Sequence, residues 1–352
     1  MNKVIVIAEA GVNHNGSIEL AKKLIDAAAF AKADFVKFQS FKADKLATKT
    51  ASQAEYQVKN SGVKESQYEM LKRLELSDKD QLELYEYCNS KNIKFLSTPF
   101  DEESATFLAP LVPLFKVSSS DLDNFLLLKH LCSFKKPIVL STGMSDIEEI
   151  KCSVKYIEQC WSNYGIKPSD HFEKNSTSLP FLSALHCTTA YPTPLEAANI
   201  KAMNTIKQDV SVNIGYSDHT LGHHASLAAV ALGATIIEKH FTLDTAMPGP
   251  DHRASLPASE LPDFITSIRN IELVLGSSEK TINSSEVENK KVARKGLYFA
   301  RDLSKGTVVK ESDLVFMRPR HEIGPEHFFE LLGRKILFDV KKGEAIKKDH
   351  FQ

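Results

Sequence analysis

The sequence predicts an α/β protein: a (β/α)8 barrel followed by a small C-terminal β-rich domain. Three observations lead to this fold class. Eight short apolar runs lie between residues 4 and 240, helical stretches separate them, and polar residues capable of chemistry follow each run. Buried parallel strands are near-continuous apolar runs, and eight of them in alternation with helices are typical of a closed barrel. In such a barrel the functional side chains lie at the carboxyl ends of the strands.

Each predicted strand leads into a polar string that holds candidate functional residues. The strands are Val4–Ala8, Phe35–Val36, Ile93–Leu96, Leu114–Val117, Ile138–Leu140, Phe181–Leu185, Val210–Ile214 and Thr235–Ile237. The polar residues are, in the same order, Glu9; Lys37 and Gln39; Ser97 and Thr98; Lys116, Ser118 and Ser119; Ser141 and Thr142; His186 and Cys187; Ser217, Asp218 and His219; and Glu238 and His240. The rim of the barrel is therefore expected to collect carboxylate, ammonium, hydroxyl and imidazole groups.

Helical patterns occupy several of the segments between the predicted strands. The predicted helices run from Ser17 as N-cap to about Lys32, and over Asp78–Lys91, residues 145–161, Leu221–Gly233 and Ala258–Leu275. The polar stretch Ser40–Leu76 departs from the alternation, and we expect a long loop with a helix near its end that covers the active site. A polar insert is predicted at Trp161–Ser178, with no assigned role.

Composition excludes several classes of function. A net charge of −1 gives no electrostatic footprint for nucleic acid or an anionic membrane, so neither partner is expected. No apolar run approaches the roughly 18 residues that span a bilayer, and the apolar part of the N-terminus is too short for a secretory signal. The five cysteines are dispersed without a C-x-x-C spacing, which indicates reduced thiols in the cytoplasm and neither a zinc site nor a disulfide framework.

A polar, weakly patterned segment separates the barrel from the C-terminal part of the chain. We expect a catalytic barrel domain over residues 1–278, a linker over 279–293 and a small domain over 294–352. Short strands and turns are predicted at 296–300, 302–306 and 339–343. About sixty residues are few for an independent hydrophobic core, so we expect the small domain to dock on another surface.

Two histidines follow neighbouring strands, the seventh and the eighth. His219 lies in GYSDHT at 215–220, and His240 lies in EKHFTLD at 238–244. Adjacent strands would place the imidazoles side by side, where they can bind a borderline divalent ion together with water, with Asp218 and Glu238 beside them. Each histidine can also be an ordinary hydrogen-bonded residue. No third histidine or cysteine is well placed, so a closed structural zinc site is not expected.

Lys37 and Lys116 lie within the second and fourth predicted strands. A lysine that faces a barrel mouth is costly unless it meets an anion. With Thr98, Ser119 and Ser141, the two lysines suggest a cradle for a phosphorylated or carboxylated ligand. Two alternatives remain, a Schiff-base nucleophile as in class I aldolases and a side chain that snorkels outward. The nucleotide motifs G-x-x-x-x-G-K-[ST] and G-x-G-x-x-G are absent.

Carboxylates at the ends of the first and eighth strands are candidates for binding a polar ligand. Glu9 is followed by Asn13 and Asn15, and a carboxylate with amides suits sugar hydroxyls, although asparagines are also ordinary turn residues. Asp251 follows the eighth strand within a proline-rich turn, which can be structural or can aim the carboxylate inward.

Taken together, these strings resemble the sialic acid synthase family, whose members condense phosphoenolpyruvate with an N-acylated hexosamine. The matching strings are IAEAGVNHNG at 7–16, VKFQ at 36–39, LSTPF at 96–100, LSTGM at 140–144, HCT at 186–188, Tyr191-Pro192, SDHT at 217–220 and EKHFTLD at 238–244. The C-terminal part resembles the family's antifreeze-like (SAF) domain around Phe299–Gly306 and Met317–Pro319. The resemblance covers nearly the whole chain.

The resemblance implies an enzyme, a phosphoenolpyruvate-dependent transferase that forms a C–C bond and makes N-acetylneuraminate or a relative such as diacetyllegionaminate. It implies a Mn²⁺- or Mg²⁺-type ion on His219 and His240, with Glu238 close to the metal. The implied phosphoenolpyruvate contacts are Lys37, Thr98, Lys116, Ser119, Ser141 and Ser217. The implied sugar contacts are Glu9, Gln39, Tyr191 and Asp251, joined by Arg318 from the other subunit of a domain-swapped homodimer. Catalytic roles are implied for Glu9, Lys37, Lys116 and Glu238.

Three positions depart from the family pattern. Asp121 stands where members commonly have Glu, Thr189 where they often have Asn, and Arg320 where they have Gly. These departures leave the acceptor sugar open. Two other functions remain as alternatives: a barrel aldolase or lyase that acts through a Schiff-base lysine, and a non-catalytic carbohydrate-binding protein.

Overall fold

The computed structural model describes residues 3–170 and 180–351, and the chain divides after Gly276 into two compact units. The first unit contains the predicted barrel and the second contains the predicted small domain. Residues 171–178 of the predicted polar insert lie outside the described residues. No helix among the described residues is long and apolar enough to cross a membrane.

Eight parallel strands form a nearly closed barrel, which confirms the predicted fold class. The strands are β1 Ile5–Gly11, β2 Phe35–Ser40, β3 Lys94–Pro99, β4 Phe115–Val117, β5 Ile138–Ser141, β6 Leu182–Cys187, β7 Asn213–Asp218 and β8 Ile236–Thr242. Hydrogen bonding runs in the order β3-β2-β1-β8-β7-β6-β5-β4. The ends of this order, β3 and β4, lie side by side. A short strand, β9 Leu256–Pro257, extends β8 in parallel.

All of these strands except β4, which ends at Val117 as predicted, reach further toward their carboxyl ends than the apolar runs predicted, because polar residues of the mouth are part of the strands. The seventh prediction, Val210–Ile214, is wrong at its start. Val210 is the last residue of a helix, and its side chain is buried in the core between helices and sheet. An apolar residue at a helix end and one at a strand start bury the same kind of surface, so hydropathy alone does not separate them.

Helices cover the outside of the barrel and build the insert after β2. They are α1 Ile18–Phe30, α2 Ala43–Leu46, α3 Glu55–Ser61, α4 Gln67–Leu74, α5 Asp78–Ser90, α6 Glu102–Leu108, α7 Phe125–Ser133, α8 Ile147–Ser162, α9 Ala202–Val210, α10 His224–Ala231 and α11 Leu261–Leu275. Ser17 caps α1 as predicted by accepting a hydrogen bond from the amide of Leu20. Helices α2, α3, α6, α7 and α9 are not among the predicted helices.

Trp161 corrects one boundary. The sequence predicts it both as the last residue of a helix over 145–161 and as the first residue of a polar insert; the helical prediction is confirmed, because Trp161 lies in the last turn of α8 and is fully buried. Its ring packs edge-on against Phe181 at 5.7 Å.

The insert between β2 and α5 has its own small hydrophobic cluster. It consists of the buried residues Val12, Phe41, Ala43, Met70, Leu71 and Leu74. The side-chain amide of Asn60 in α3 donates a hydrogen bond of 2.8 Å to the carbonyl of Pro250 in the loop after β8. The insert is therefore a packed element attached to the rim of the barrel.

The second unit contains a two-stranded antiparallel sheet and short helices. Its elements are α12 Val287–Ala293, β10 Gly296–Phe299, β11 Leu314–Met317 and α13 Phe328–Leu331. Helix α12 lies in the segment predicted as a linker and buries none of its residues. Isolated bridges, such as Leu303 with Val340, join the predicted turns. A separate hydrophobic cluster includes Leu297, Phe299 and Ile336.

Candidate active site

The register of the central strands brings the predicted site residues together at the carboxyl end of the barrel. Glu9 on β1 lies opposite Lys37 on β2 and opposite His240 on β8. Ser217 on β7 lies opposite Glu238 on β8. Side chains alternate along a strand, so Glu238 and His240 point to the same face. Strand pairing alone therefore gathers residues that are more than 200 positions apart in sequence.

Glu9, Lys37, Glu238 and Lys116 form a buried line of alternating charges, here named the charged array. The Nζ atom of Lys37 lies 2.8 Å from Oε2 of Glu9 and 3.6 Å from Oε2 of Glu238. The Nζ atom of Lys116 lies 3.7 Å from Oε1 of Glu238. All four side chains are 2–5% exposed. Both lysines face inward, so the outward-snorkelling alternative is wrong.

Hydroxyl groups surround the two lysines. Lys37 donates to Oγ1 of Thr98 at 2.9 Å, and Lys116 donates to Oγ of Ser141 at 2.6 Å. Ser217 donates to Glu238 at 2.9 Å. Ser119 accepts a hydrogen bond of 3.0 Å from the amide of Gly143, in the loop that follows Ser141. The six residues that the resemblance implies as phosphoenolpyruvate contacts therefore line one region, here named the lysine cradle.

The two carboxylates of the charged array have opposite pKa shifts. Burial raises the pKa of Glu9 to about 7. The attraction of Lys37 lowers this pKa, but repulsion from Glu238 partly offsets that effect. Burial also acts to raise the pKa of Glu238, but Lys116, Lys37 and the hydrogen bond from Ser217 outweigh it and hold that pKa at about 2. Burial lowers the pKa of Lys116, whereas the two carboxylates raise that of Lys37 in spite of its burial.

Gly11 makes room for the polar groups above Glu9. It has a φ of +52°, in the left-handed region that favours glycine. A Cβ atom at this position would lie 3.3 Å from Oε1 of Glu9, 3.3 Å from the ring of His240 and 3.5 Å from the amide of Gln39. The Gln39 amide donates to Glu9 at 3.4 Å. Three groups thus converge on a space that any side chain would fill.

His219 and His240 lie beside each other as predicted, with ring centroids 5.4 Å apart. The Nδ1 atom of His219 lies 2.8 Å from the carbonyl of Thr188, which can only accept a hydrogen bond. Nδ1 therefore carries a proton, and Nε2 lies 3.2 Å from the hydroxyl of Tyr191. In spite of burial, Cys187, the carbonyl of Thr188 and Glu238 raise the pKa of His219. Burial and the neighbouring His219 hold the pKa of His240 well below its usual range, so this imidazole is neutral.

The chemistry of this pair fits a divalent ion with two protein ligands. Nδ1 of His240 and Oε2 of Glu238 are buried and have no hydrogen-bond partner among the described residues. Neutral imidazole is the form that binds metals. Over residues 3–170 and 180–351 no group of three or more His, Cys, Asp or Glu side chains is arranged to hold an ion. Water and substrate would have to supply the other ligands, as in an open catalytic site.

Comparisons with known proteins show the family to which the chain belongs. The NeuB family model matches residues 24–280, and the SAF domain model matches residues 294–352. The chain belongs to the NeuB family. The predicted resemblance to sialic acid synthases, including the antifreeze-like C-terminal domain, is thereby confirmed.

Two curated proteins and one solved structure resemble this NeuB-family chain over most of its length. N,N'-diacetyllegionaminic acid synthase from Campylobacter jejuni is 43% identical over 99% of this chain and 100% of its own length. The protein of the same name from Legionella pneumophila is 41% identical over 99% of this chain and 94% of its own length. The crystal structure of N-acetylneuraminic acid synthetase from Leptospira borgpetersenii matches with a TM-score of 0.68 and 32% identity, covering 82% of this chain and 90% of that one.

The predicted sugar contacts fall in different places within the NeuB-family chain. Gln39 and Tyr191 lie in the mouth, beside Glu9 and His219. Asp251 is buried, and burial raises the pKa of its carboxyl group to about 6. Arg318 belongs to the second unit, at an exposed position that follows β11.

Two groups of residues that the sequence analysis placed near ligands have structural roles. Asp218 forms a buried ion pair of 3.1 Å with Lys239 and accepts hydrogen bonds from Thr220 and Ser226. It therefore stabilises the end of β7 and does not share the mouth with His219. The side-chain amide of Asn13 donates to the carbonyl of Phe241 and to Ser255, and Asn15 contacts His252. These asparagines tie two loops together.

The three departures from the family pattern have different environments. Asp121 accepts hydrogen bonds from Ser118 and Asn124 and so orders the turn that carries Ser119. Oγ1 of Thr189 is buried without a hydrogen-bond partner among the described residues. It packs against Gly143, where an added Cβ atom would lie 2.2 Å from this oxygen. Arg320 forms an ion pair with Glu326 in the second unit.

Tyr56 is a residue of the mouth that the sequence does not predict. Its ring stacks on that of Tyr191 at 5.2 Å. Tyr56 lies in a polar segment without periodicity, and its partner is 135 positions away in the chain. No local pattern points to it, because only the folding of the insert brings the two rings together.

Proposed function

We propose that this chain is a nonulosonic acid synthase, which condenses phosphoenolpyruvate with an N-acylated amino sugar and releases phosphate. The observation that carries the proposal is the charged array with its surrounding hydroxyls, next to the paired imidazoles of His219 and His240. An anionic donor needs the lysine cradle, and an aldehyde acceptor needs an electrophilic partner beside it. The similarity to the synthases from Campylobacter and Legionella also supports this reaction class.

The lysine cradle would hold the donor. Lys37 and Lys116, with Thr98, Ser141 and Ser217, present ammonium and hydroxyl donors to the phosphate and carboxylate of phosphoenolpyruvate. Ser119 adds a further hydroxyl next to Gly143. These groups lie in a buried place where charge interactions are strong, and they are fixed before the substrate arrives.

His219 and His240 would hold a divalent ion, of the Mn²⁺ or Mg²⁺ type, which when bound polarises the aldehyde oxygen of the acceptor. Glu9 accepts a hydrogen bond from Gln39, which would orient this amide toward the acceptor, and its ion pair with Lys37 links the acceptor side of the mouth to the lysine cradle. Tyr191 and Asp251 would contact the rest of the sugar. Glu238, held ionised between the lysines, keeps both of them charged and in position.

The chemistry then follows from this arrangement. The C3 carbon of phosphoenolpyruvate attacks the aldehyde carbon of the open-chain sugar, and a new C–C bond forms. Water adds to C2 and gives a tetrahedral intermediate. Phosphate then leaves when the bond between C2 and the bridging phosphate oxygen breaks. The lysine cradle stabilises the charge that develops on the leaving phosphate. The chain has no phosphate-binding loop of the kind that phosphoryl transfer requires.

The finer assignments extend this proposal. The similarity to two diacetyllegionaminic acid synthases favours N,N'-diacetyllegionaminic acid as the product over N-acetylneuraminate. A domain-swapped homodimer, in which the partner subunit's Arg318 reaches the N-acyl group of the acceptor, is the assembly we propose. Five free cysteines are consistent with a reducing cytoplasm.

Phosphate release in the presence of a panel of N-acylated sugars tests the proposal. We expect release only when phosphoenolpyruvate and an acceptor are both present, fastest with a 2,4-diacetamido sugar. Lys37→Met should be nearly inactive, whereas Lys45→Met, a change at a half-exposed lysine of α2, should resemble the wild type. A wild-type protein that releases no phosphate with any sugar of the panel would refute the proposed reaction.

A further inference from the structure

Tyr56 and Tyr191 form a contact that crosses the mouth of the barrel. Tyr56 is on α3, in the insert after β2, and Tyr191 is in the loop after β6. In the strand order of the barrel, β2 and β6 are four strands apart, on opposite sides. The two rings nevertheless stack, with centroids 5.2 Å apart and planes inclined by 26°. This pair is here named the aromatic bridge.

The aromatic bridge continues into the site. The ring of Tyr191 lies 4.2 Å from the ring of His219 and meets His240 edge-on at 5.7 Å. Its hydroxyl is 3.2 Å from Nε2 of His219. Tyr56 therefore contacts Tyr191, and Tyr191 contacts both imidazoles. The residues of the lysine cradle do not take part in these ring contacts.

The position of Tyr56 is fixed by the fold of the insert. In the same helix, Asn60 donates to the carbonyl of Pro250, one residue before Asp251. At the two ends of the segment that carries α3, the side chain of Gln53 accepts from the amide of Glu65, and Ser52 pairs with Ser66 in a β-bridge. These contacts hold α3 over the loop after β8.

The carboxylate of Asp251 is near the same pair of rings. Burial raises the pKa of Tyr56, and the negative charge of Asp251 raises it further. Asp251 acts in the same direction on Tyr191, whose pKa burial already raises well above its usual value. Two aromatic rings and one buried carboxylate, from helix α3 and from the loops after β6 and β8, therefore lie near one another at the mouth.

We propose that Tyr56 is a positioning residue for the acceptor, a polyhydroxylated N-acylated amino sugar, and that it acts by holding Tyr191 in place across the mouth. The inference rests on the proposed function. A sugar presents both hydroxyls and apolar C–H groups, so a fixed carboxylate beside a fixed aromatic ring suits it. Without Tyr56 the ring of Tyr191 keeps its contact with His219 but loses the ring on which it stacks. The acceptor then has to order Tyr191 when it binds, which weakens its binding.

The test compares three variants. Tyr56→Ala removes the stack, Tyr56→Phe keeps it, and Tyr68→Ala removes another half-buried tyrosine of the insert, whose hydroxyl bonds to Asp44 and not to the site. We expect Tyr56→Ala to raise the KM for the acceptor by about tenfold, the order of a lost aromatic pair. The KM for phosphoenolpyruvate should change less than about twofold, which is within the range of a neutral surface change. Tyr56→Phe and Tyr68→Ala should both resemble the wild type.

Calorimetric titration of each variant with the acceptor alone gives a second measurement. Weaker sugar binding in Tyr56→Ala, with a melting temperature equal to that of Tyr68→Ala, separates positioning from a general loss of stability. An equal rise of both KM values, or no change of either in an active wild-type background, would overturn the inference and leave the proposed function intact. Absence of sugar-dependent phosphate release in the wild type would overturn both.

Discussion

Glu9 and Glu238 share Lys37 as a neighbour and still differ in ionisation. Burial acts on both carboxylates in the same direction. Glu238 contacts two lysines and a serine hydroxyl, whereas Glu9 contacts one lysine and is repelled by Glu238. The array stays inside the barrel because its charges alternate, and removing one member leaves another buried charge without compensation.

Replacing Lys116 by Met removes one ammonium group from the lysine cradle and keeps the length of the side chain. We expect kcat/KM for phosphoenolpyruvate to fall by about 10²–10³-fold, the usual loss when one preorganised donor is removed. Binding of the acceptor, measured by calorimetry, should change little. Lys129→Met, at an exposed position of α7, is the matched control.

The same residue separates the proposed reaction from the aldolase alternative. Burial lowers the pKa of Lys116, a property that an imine-forming lysine also needs. We expect no covalent adduct when substrate and borohydride are added together. A reduced adduct on Lys116 or Lys37 in the mass spectrum would favour the Schiff-base mechanism.

His14 gives a pH dependence of stability. It is buried in the turn after β1, its Nδ1 accepts from the amide of Gly16 at 3.0 Å, and burial lowers its pKa to about 4. Because the folded pKa lies below the unfolded value of 6.5, the unfolded chain binds a proton that the folded chain lacks between about pH 6.5 and 4. Stability from this residue is present above pH 6.5 and is lost as the pH falls, by roughly 3 kcal/mol in total.

Urea denaturation at several pH values between 7.5 and 4.5 checks this prediction. The variant His14→Asn keeps an acceptor for the amide of Gly16 but cannot titrate in this range. Its free energy of unfolding should fall less steeply with decreasing pH than that of the wild type. His252, whose pKa is also lowered to about 4 by burial, remains in both proteins, so the difference between the two curves reports His14 together with its repulsion from His252. Parallel curves would show that His14 does not contribute.

Strands and helices differ in how far the sequence predicts them. The eight barrel strands follow from apolar runs because both of their faces are buried, and their order brings Glu9, Lys37 and Glu238 together without further information. Helix α3 could not be predicted, since it is short and polar and is held by contacts such as Asn60 with Pro250. The motif strings contained Asp218 and His219 as neighbours, but only the fold shows that Asp218 bonds to Lys239, away from the mouth.

The ends of β7 and β8 should form a divalent-ion site. We expect the chelator-treated protein to be inactive and to regain activity with Mn²⁺ or Mg²⁺. The affinity for Mn²⁺ can be measured by electron paramagnetic resonance of the free ion. We expect His240→Ala to lower this affinity by more than the roughly 10–100-fold that is lost when a residue supporting a metal ligand is removed. His224→Ala, an exposed imidazole at the start of α10, serves as the control. Unchanged Mn²⁺ affinity in His240→Ala would exclude this residue as a ligand.

At the scale of the whole molecule, the residues predicted to contact the substrates belong to two compact units. The charged array, both imidazoles and the aromatic bridge belong to the unit that ends at Gly276, whereas Arg318 belongs to the unit that begins at Ser277. The second unit has its own small cluster of buried apolar residues, which is modest for a domain of this size. Symmetric exchange of such a domain between two subunits is a low-cost route to a dimer, and it would complete each site with the other chain's arginine.

Complementation between two inactive variants tests whether Arg318 acts in the other subunit. His240→Ala and Arg318→Ala homodimers should each be nearly inactive, because every site has one defect. After the two are mixed and refolded, half of the dimers are heterodimers, and in each of these one site combines an intact His240 barrel with an intact Arg318. Activity should therefore recover to about a quarter of the wild-type value. If Arg318 serves its own barrel, each site keeps a defect, and no activity returns even when native mass spectrometry confirms the heterodimers.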